Sequence, residues 1–370
     1  MIWLAALAAA VWAYLLAAHG RFWSAGPSLP PSAPATWPGV DVVIPARDEA
    51  AGVADCLRSL LAQDYRGDLH IYLIDDGSTD GTGAIARSLA SPRLTVIDGK
   101  PRPSGWSGKL WAVSQGIDRS TAAVLLLCDA DIVHDPAHVS TLVAQAERGP
   151  LDLVSEMVAL NCESAAERAL VPAFVFFFQL LYPFARVNDP ASRTAAAAGG
   201  TVLVRRTALA RIGGIAAVRG ALIDDVALAA AVKRGGPIWL GHSRLARSIR
   251  PYPHPGDIWR MVARTAYVQL RFSPALLLGT VAGLMLVWLA PPALALFGHG
   301  PARWIGLATW AASAASYLPT LHRFRQSPAW ALALPLIAAF YMAATIGSAI
   351  DHHRGRGVVW KRRAYQDAGP

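Results

Sequence analysis

Between residues 40 and 130 short apolar runs alternate with polar stretches of two kinds. "VDVVIP" (Val40–Pro45), "LHIYLID" (Leu69–Asp75), "LTVID" (Leu94–Asp98) and "AAVLLLCD" (Ala122–Asp129) have the length and β-branched content of buried strands. The segments between them carry helical periodicity. "EAAGVADCLRSLLAQ" puts Val53, Cys56, Leu57, Leu60 and Leu61 on one face, with Asp48 and Glu49 at its start. "GAIARSLA" and "GKLWAVSQGI" (Gly108–Ile117) read as further helices, and "DGSTDGT" as a loop. Strands alternating with helices predict an α/β domain with a mostly parallel sheet, whose ligands bind beyond the carboxyl ends of the strands.

Four longer apolar stretches have a different character: Met1–Ala18, Pro274–Phe297, Trp304–Leu318 and Ala329–Ile350. A spanning helix needs about 20 residues, within a range of about 17–25, so the first, second and fourth are long enough and the third is short. The first lacks a basic leader and is followed by Arg21, which favours an uncleaved anchor over a cleaved signal. "PSLPPSAPATWP" (Pro27–Pro38) reads as a linker. The expected organisation is an anchor over 1–20, a Pro-rich linker over 21–39, a catalytic domain over 40–273, a transmembrane region over 274–350 and a basic tail over 351–370. A further apolar segment inside the catalytic part, "ALVPAFVFFFQLLYPFA" (Ala169–Ala185), has the composition of core, but its aromatic density suits a bilayer interface better.

Composition agrees with membrane segments. Hydrophobic residues make up 54% and charged residues 16% of the chain, and mean hydropathy is +0.34. The net charge of +9 fits flanks facing anionic lipid. No basic run is interleaved with stacking aromatics, which speaks against nucleic-acid binding. The three cysteines, Cys56, Cys128 and Cys162, sit in apolar contexts without a C-x-x-C and read as buried thiols in a reducing compartment.

The candidate chemistry lies at the strand ends. "LLLCDAD" finishes an apolar run with Asp129 and Asp131, which share a face if the chain stays extended. The plain alternative is a chain surfacing into a turn. Against it, three neighbouring strands end in acidic segments, "IPARDE", "IDDGSTDGT" and "CDADIVHD", which converge on one sheet edge. Hard oxygen donors in that position suit Mg²⁺ or Mn²⁺ bridging substrate phosphates. His134 and Asp135, just beyond, read as surface residues.

Taken together and in this order, "VVIPARDEA", "LIDDGSTDGT", "GWSGKLWAVSQG" and "CDAD" resemble the GT-A domain of family 2 glycosyltransferases, over about residues 40–272. The anchor, "SGWSGK" and the C-terminal apolar block look most like the hopene-associated members. The resemblance implies a nucleotide-sugar donor, usually UDP-linked, and a divalent metal. Pro45, Asp48 and Glu49 would line the nucleotide pocket, and Asp76 would accept from the uracil imide N–H. An Asx-turn is the plain alternative for that aspartate pair, and Asp75 fits it better. Lys109 would face the phosphates or the ribose; a lysine at a helix start opposes the helix dipole unless an anion is bound nearby. Trp106 either flanks the sugar or covers core. Asp129 would hold the ribose or assist the metal, and Asp131 would bind the metal directly.

In "GALIDDVALAAAVKRGG", Asp224 and Asp225 open an Ala-rich helix. Capping accounts for one of them. The resemblance makes Asp225 the base of an inverting displacement, while Asp224 stands where the family commonly has glutamate. "AAAAGGTVLVRR" resembles the family's acceptor-side segment, in which Gly199 and Gly200 would permit close backbone approach; a plain turn before a strand is the alternative. "DIWRMVARTAYVQLRFS" (Asp257–Ser273) lacks the Q-x-x-R-W of processive relatives, so transfer of a single sugar is expected; Arg260 and Arg264, one helical turn apart, would face a diphosphate or an anionic lipid.

The implied protein is a multi-pass inner-membrane enzyme with a cytoplasmic catalytic domain that glycosylates a lipid hydroxyl. Alternatives are a polyprenyl-phosphate sugar transferase, a polysaccharide synthase and an inactive membrane scaffold. Three full crossings after residue 273 would put "HHRGRGVVWKRR" outside, against the positive-inside tendency, so one segment is expected to be re-entrant: the second, at Ala290–Pro292, or the short third.

Overall fold

The computed structural model describes residues 1–355, 359–360 and 363–364. Along the chain the elements are α1 (Ile2–Ala18), β1 (Val40–Ala46), α2 (Val53–Leu61), β2 (Leu69–Asp75), α3 (Thr82–Ser88), β3 (Leu94–Asp98), α4 (Gly108–Arg119), β4 (Val124–Cys128) and β5 (Ile132–His134). Next are α5 (His138–Arg148), β6 (Leu153–Ala159), α6 (Ala165–Leu181), α7 (Phe184–Val187), β7 (Thr201–Arg205), α8 (Arg206–Arg211), α9 (Asp224–Lys233) and β8 (Ile238–Ser248). The last part holds α10 (Pro255–Ala263), α11 (Ala266–Gln269), α12 (Pro274–Leu284), α13 (Ala290–Phe297), α14 (Pro301–Arg323), α15 (Leu334–His353) and a small hairpin, β9 (Val359–Trp360) with β10 (Arg363–Ala364). Most of the expected basic tail lies outside the described residues.

One eight-stranded sheet runs in the order β3-β2-β1-β4-β7-β6-β8-β5. β3, β2, β1 and β4 are mutually parallel, as the strand–helix alternation predicts. β7 is antiparallel to both β4 and β6, β6 is parallel to β8, and β5 returns antiparallel along β8. β1 lies at the centre and is buried along its whole length. Its one charge, Asp41, accepts hydrogen bonds from Ser120 Oγ (2.6 Å) and from the backbone N–H groups of Thr121 and Ala122 (both 3.0 Å). A buried carboxylate needs such partners, and these fix the entry to β4.

Each face of the sheet carries its own core. α2, α3 and α5 cover one face, with Cys56, Leu57 and Leu60 inward as the periodicity predicts. α4, α9 and the segment before β7 cover the other. α4 approaches closely because Gly116 has no side chain: a Cβ there would lie 2.5 Å from Val43 Cγ1 and 2.7 Å from Ile74 Cδ1.

The apolar stretches form a helical bundle against this domain. α12, a π-helical turn (Met285–Leu289) and α13 make one continuous helix, so "APP" bends the ladder without reversing the chain. Pro291 and Pro292 have no N–H, so the Val287 carbonyl has no donor four or five residues on. Trp12 of α1 supplies one: its indole Nε1 donates to Val287 O at 2.8 Å. The third apolar stretch is longer than expected, 23 residues in α14. Pro274–Phe297 and Leu334–His353 are long and apolar enough to cross a bilayer, whereas α1 has 17 residues.

Two further expectations change. Pro27–Pro38 is a strap and not a free linker: Pro27 O accepts from His242 N (2.8 Å), Ser32 N donates to Thr141 Oγ1 (3.1 Å), and Ala35 N donates to Glu147 Oε2 (2.8 Å). The aromatic segment 169–185 is largely interior. Leu170, Val171, Ala173 and Phe176 are buried, and Phe176 and Phe177 pack against Trp288, Tyr317 and Tyr341 of the bundle. Its aromatic density joins sheet domain to bundle.

Candidate active site

A cavity of about 420 Å³ opens at the carboxyl ends of β1 and β4. Pro45 and Glu49 line it from the end of β1, Asp129 and Asp131 from the end of β4, Ser107 and Lys109 from the start of α4, and Asp224 from the start of α9. Arg250 and Tyr252, after β8, and Asp257, Arg260, Met261 and Arg264, along α10 and its end, close the far wall. Sheet order explains the convergence: β2, β1 and β4 are parallel neighbours, so their polar ends emerge together.

The D-x-D carboxylates reach the cavity by a turn, not by an extended strand. β4 ends at Cys128, and Ile132 N donates back to Asp129 O (3.3 Å). Asp129 and Asp131 consequently meet different partners. Lys109 Nζ lies 3.0 Å from Asp129 Oδ1 and 3.1 Å from Asp224 Oδ2. Arg250 spans the other side: its Nε donates to Asp131 Oδ2 (2.9 Å) and its Nη2 to both oxygens of Glu49 (2.7 and 2.8 Å). Ser248 Oγ also donates to Asp131 Oδ2, at 3.1 Å. Two cations therefore each bridge two carboxylates around one cavity.

This crowding shifts the proton affinities. Burial raises the Asp129 carboxyl above the usual range; Lys109 opposes the rise, while Asp131 and Asp224 add to it. Burial disfavours the Lys109 charge, but Asp129, Asp224 and Asp225 outweigh burial and hold the ammonium above the ordinary lysine range. Burial, then the like charge of Asp224, pushes Asp225 up to about 7, against Lys109 and a hydrogen bond from Val226 N. Asp225 lines a smaller recess beside the main cavity, together with Lys109, Asp224 and Gly199. A Cβ on Gly199 would stand 3.2 Å from Asp225 Oδ2 and 3.3 Å from Lys109 Nζ, so glycine leaves room beside the carboxylate. A Cβ on Gly200 would press on Val158 instead, at 3.1 Å.

Several expected residues are placed otherwise. Asp48 and Glu49 precede α2 in a loop, with Asp48 at a left-handed φ of 51°. Asp48 Oδ1 accepts from Thr79 N (2.9 Å), which ties the end of β1 to the "DGSTDGT" loop. Asp75 forms the turn, accepting from Ser78 N at 2.9 Å, while the buried Asp76 carboxylate lies 3.8 Å from Arg47 Nη1. Trp106 packs on the core and edge-on to Trp111, at 5.3 Å between rings. His134 is not a surface residue: β5 pairs with β8 and α5 folds over it, leaving it 3% exposed, whereas Asp135 is exposed. Arg250 escaped the sequence reading altogether. Its only signal is an arginine just after a long strand, in "SIRPYP".

Known proteins share this domain. The family described as Glycosyl transferase family 2 matches residues 41–213. An N-acetylglucosaminyltransferase of Mesorhizobium japonicum is 34% identical over 115 residues, covering 30% of this chain and 26% of that protein. An undecaprenyl-phosphate 4-deoxy-4-formamido-L-arabinose transferase of Pseudomonas fluorescens is 30% identical over 135 residues, 35% of this chain and 38% of that protein. The chain thus spans well under half the length of these relatives. A solved mannosyltransferase from Pyrobaculum calidifontis, in complex with GDP-Man and Mn²⁺, superposes with a TM-score of 0.59 at 21% identity, over 93% of this chain and 99% of that one. That likeness shows a common GT-A-type fold.

Proposed function

We propose that residues 41–213, which match the family described as Glycosyl transferase family 2, work as a glycosyltransferase domain that moves one sugar from a nucleotide-sugar donor, UDP-linked in the first instance, to a hydroxyl of a membrane lipid, with inversion. One observation carries the reading. Lys109 joins the D-x-D carboxylate Asp129 to the first aspartate of the Asp224–Asp225 pair, so donor-side and base-side carboxylates meet across a single ammonium.

The donor's diphosphate fits the main cavity, where Arg260 and Arg264 face it. Asp76, Pro45, Asp48 and Glu49 form the nucleotide side in this reading. The donor set suits a divalent ion: Asp129 and Asp131 bring hard oxygens to one cavity. When bound, Mg²⁺ or Mn²⁺ would offset charge on the diphosphate and the leaving nucleotide. Lys109 and Arg250 are the chain's own cations at those carboxylates and line the cavity that would take the donor phosphates. Asp225, with its proton affinity near neutrality, accepts the proton of the acceptor hydroxyl as that oxygen attacks the anomeric carbon. Gly199 keeps the space for the hydroxyl open.

A lipid acceptor is supported by the cavity's far wall. α10 carries Arg260 on its cavity side, and its Trp259 packs edge-on to Phe340 of α15 at 5.6 Å. The wall therefore rests on a helix apolar enough to cross a bilayer. Leu278, Phe297, Trp304 and Leu336 leave apolar surface exposed around the bundle. Within lipids, the resemblance to the hopene-associated glycosyltransferase HpnB points to a hopanoid. A polyprenyl phosphate is the second reading, favoured by the relative from Pseudomonas fluorescens. The inner membrane, with the catalytic domain on the cytoplasmic side, is the proposed location.

The test is transfer from radiolabelled UDP-sugars to extracted membrane lipids by the detergent-solubilised full chain. Asp225→Asn should abolish transfer and leave UDP binding nearly unchanged. Transfer that survives in Asp225→Asn, or donor binding lost with it, removes Asp225 as the base.

A further inference from the structure

Directly beneath the D-x-D turn lies a second cluster that the transfer chemistry does not use. Cys56 comes from α2, Cys128 is the last residue of β4, and His134 ends β5. All three are buried, and their donor atoms lie within 4.8 Å of one another. Cys128 Sγ is 3.1 Å from His134 Nε2. Both sulfurs also point at one backbone oxygen, Asp129 O, at 3.2 Å from Cys128 and 3.7 Å from Cys56.

The protons around the histidine are ordered in one direction. His134 Nδ1 lies 2.8 Å from His138 Nδ1, and His138 Nε2 lies 3.0 Å from Glu156 Oε2, all three side chains being buried. A carboxylate only accepts, so His138 donates to it from Nε2. His138 Nδ1 is then bare and accepts from His134 Nδ1–H. That leaves His134 Nε2 unprotonated, with its lone pair facing Cys128 Sγ. This is the tautomer that a metal-bound imidazole adopts when its second nitrogen is held by a hydrogen-bonded chain ending on a carboxylate.

We infer that Cys56, Cys128 and His134, with the carbonyl oxygen of Asp129 as fourth donor, form a structural Zn²⁺ site under the donor-binding turn. Two thiolates and an imidazole are the soft and borderline ligands that Zn²⁺ prefers over the hard cations suited to Asp129 and Asp131. Tetrahedral bonds of about 2.0–2.3 Å set neighbouring donors roughly 3.3–3.8 Å apart; here Cys128 Sγ stands 3.1 Å from His134 Nε2 and 3.2 Å from Asp129 O, and Cys56 Sγ 3.7 Å from that oxygen. The two thiolates neutralise the ion's charge, so the buried site is neutral; loading releases the two thiol protons. The ion would clamp α2, β4 and β5 together and hold the Asp129 backbone from below, independently of any ion at the Asp129 and Asp131 carboxylates.

The test is zinc content per chain in detergent-purified full-length protein prepared without chelator. A single tightly held equivalent is expected, unchanged in Asp131→Ala and lost in Cys56→Ser and Cys128→Ser. Glu156→Gln should weaken zinc affinity by about 10–100-fold through the histidine chain. Because a cysteine variant can fail to fold, wild-type protein is also titrated with a mercurial, which should release the zinc as the buried thiols react. Replacement by Co²⁺ should give a thiolate-to-cobalt charge-transfer band. Absence of zinc together with absence of that band overturns the inference. So does zinc that persists in Cys56→Ser/Cys128→Ser, or a Cys56–Cys128 disulfide found in protein trapped with a thiol-blocking reagent at lysis.

Discussion

Lys109, in the first turn of α4, holds Asp224, the first residue of α9, at 3.1 Å, across 115 residues of sequence (224 − 109). A lysine in a first turn opposes the helix dipole, and here the aspartates Asp129 and Asp224 compensate it. The pairing also makes the proton affinity of Asp225 depend on two neighbours of opposite sign.

The pH dependence of transfer follows from that dependence. Asp225 must be ionised to act as base, so kcat/KM should rise with pH through about 7. Lys109→Met removes a charge that favours the carboxylate, so the acidic limb should move to higher pH, with a loss of about 10²–10³-fold in rate. Asp224→Asn removes a like charge and should move the limb to lower pH. Limbs that move in the same direction in the two variants would rule out this assignment.

Stability should respond with the opposite preference. An acid whose folded pKa is raised binds its proton more tightly when folded, so stability is lost as pH climbs from the ordinary carboxylate range to about 7, and stays lost above it. Asp225→Asn should leave Tm nearly unchanged near pH 4 and raise it increasingly up to pH 7, with a constant gain beyond. Thermal melts of both proteins across that range decide it; a gain that is flat with pH would mean that Asp225 is not desolvated.

Metal removal should act through Asp131. Calorimetric binding of UDP is expected to require Mn²⁺ or Mg²⁺, to be abolished by chelator and to vanish in Asp131→Ala. Asp131→Ala also frees Arg250 from one partner while Glu49 retains it, so the fold should survive. UDP binding that is indifferent to metal would send the donor assignment to other nucleotides.

The Trp12 hydrogen bond should be worth measuring by a cycle. Trp12→Phe leaves Val287 O without a donor and should cost about 1–3 kcal/mol in thermal or denaturant melts. Pro291→Ala restores a backbone N–H four residues along and should recover much of that loss in the Trp12→Phe background. Additive effects of the two substitutions would show that the proline and the indole are unconnected.

The strands and helices of the parallel half were legible because their signals are local. Periodicity over five to twelve residues located β2 (Leu69–Asp75) and β3 (Leu94–Asp98) to the residue, and the acidic run-outs of neighbouring strands identified the sheet edge that carries the site. His134 was misread for the same reason. Next to Asp135 it is locally polar, and only the pairing of β5 with β8 and the fold of α5 over it make it interior. The Pro-rich strap and the aromatic segment were misjudged likewise, since composition reports how apolar or stiff a segment is and not what covers it.

By itself, the amino-acid sequence determined which segments are strands and helices, which residues end the strands, and which stretches are apolar enough to require a second environment. The tertiary structure alone decided which charges meet: Lys109 with Asp129 and Asp224, Arg250 with Glu49 and Asp131, and the thiols of Cys56 and Cys128 with His134. Propensity and periodicity act between residues a few positions apart. The partners of a buried charge are set by strand order and helix packing, which bring together residues as far apart as Glu49 and Arg250, 201 positions along the chain.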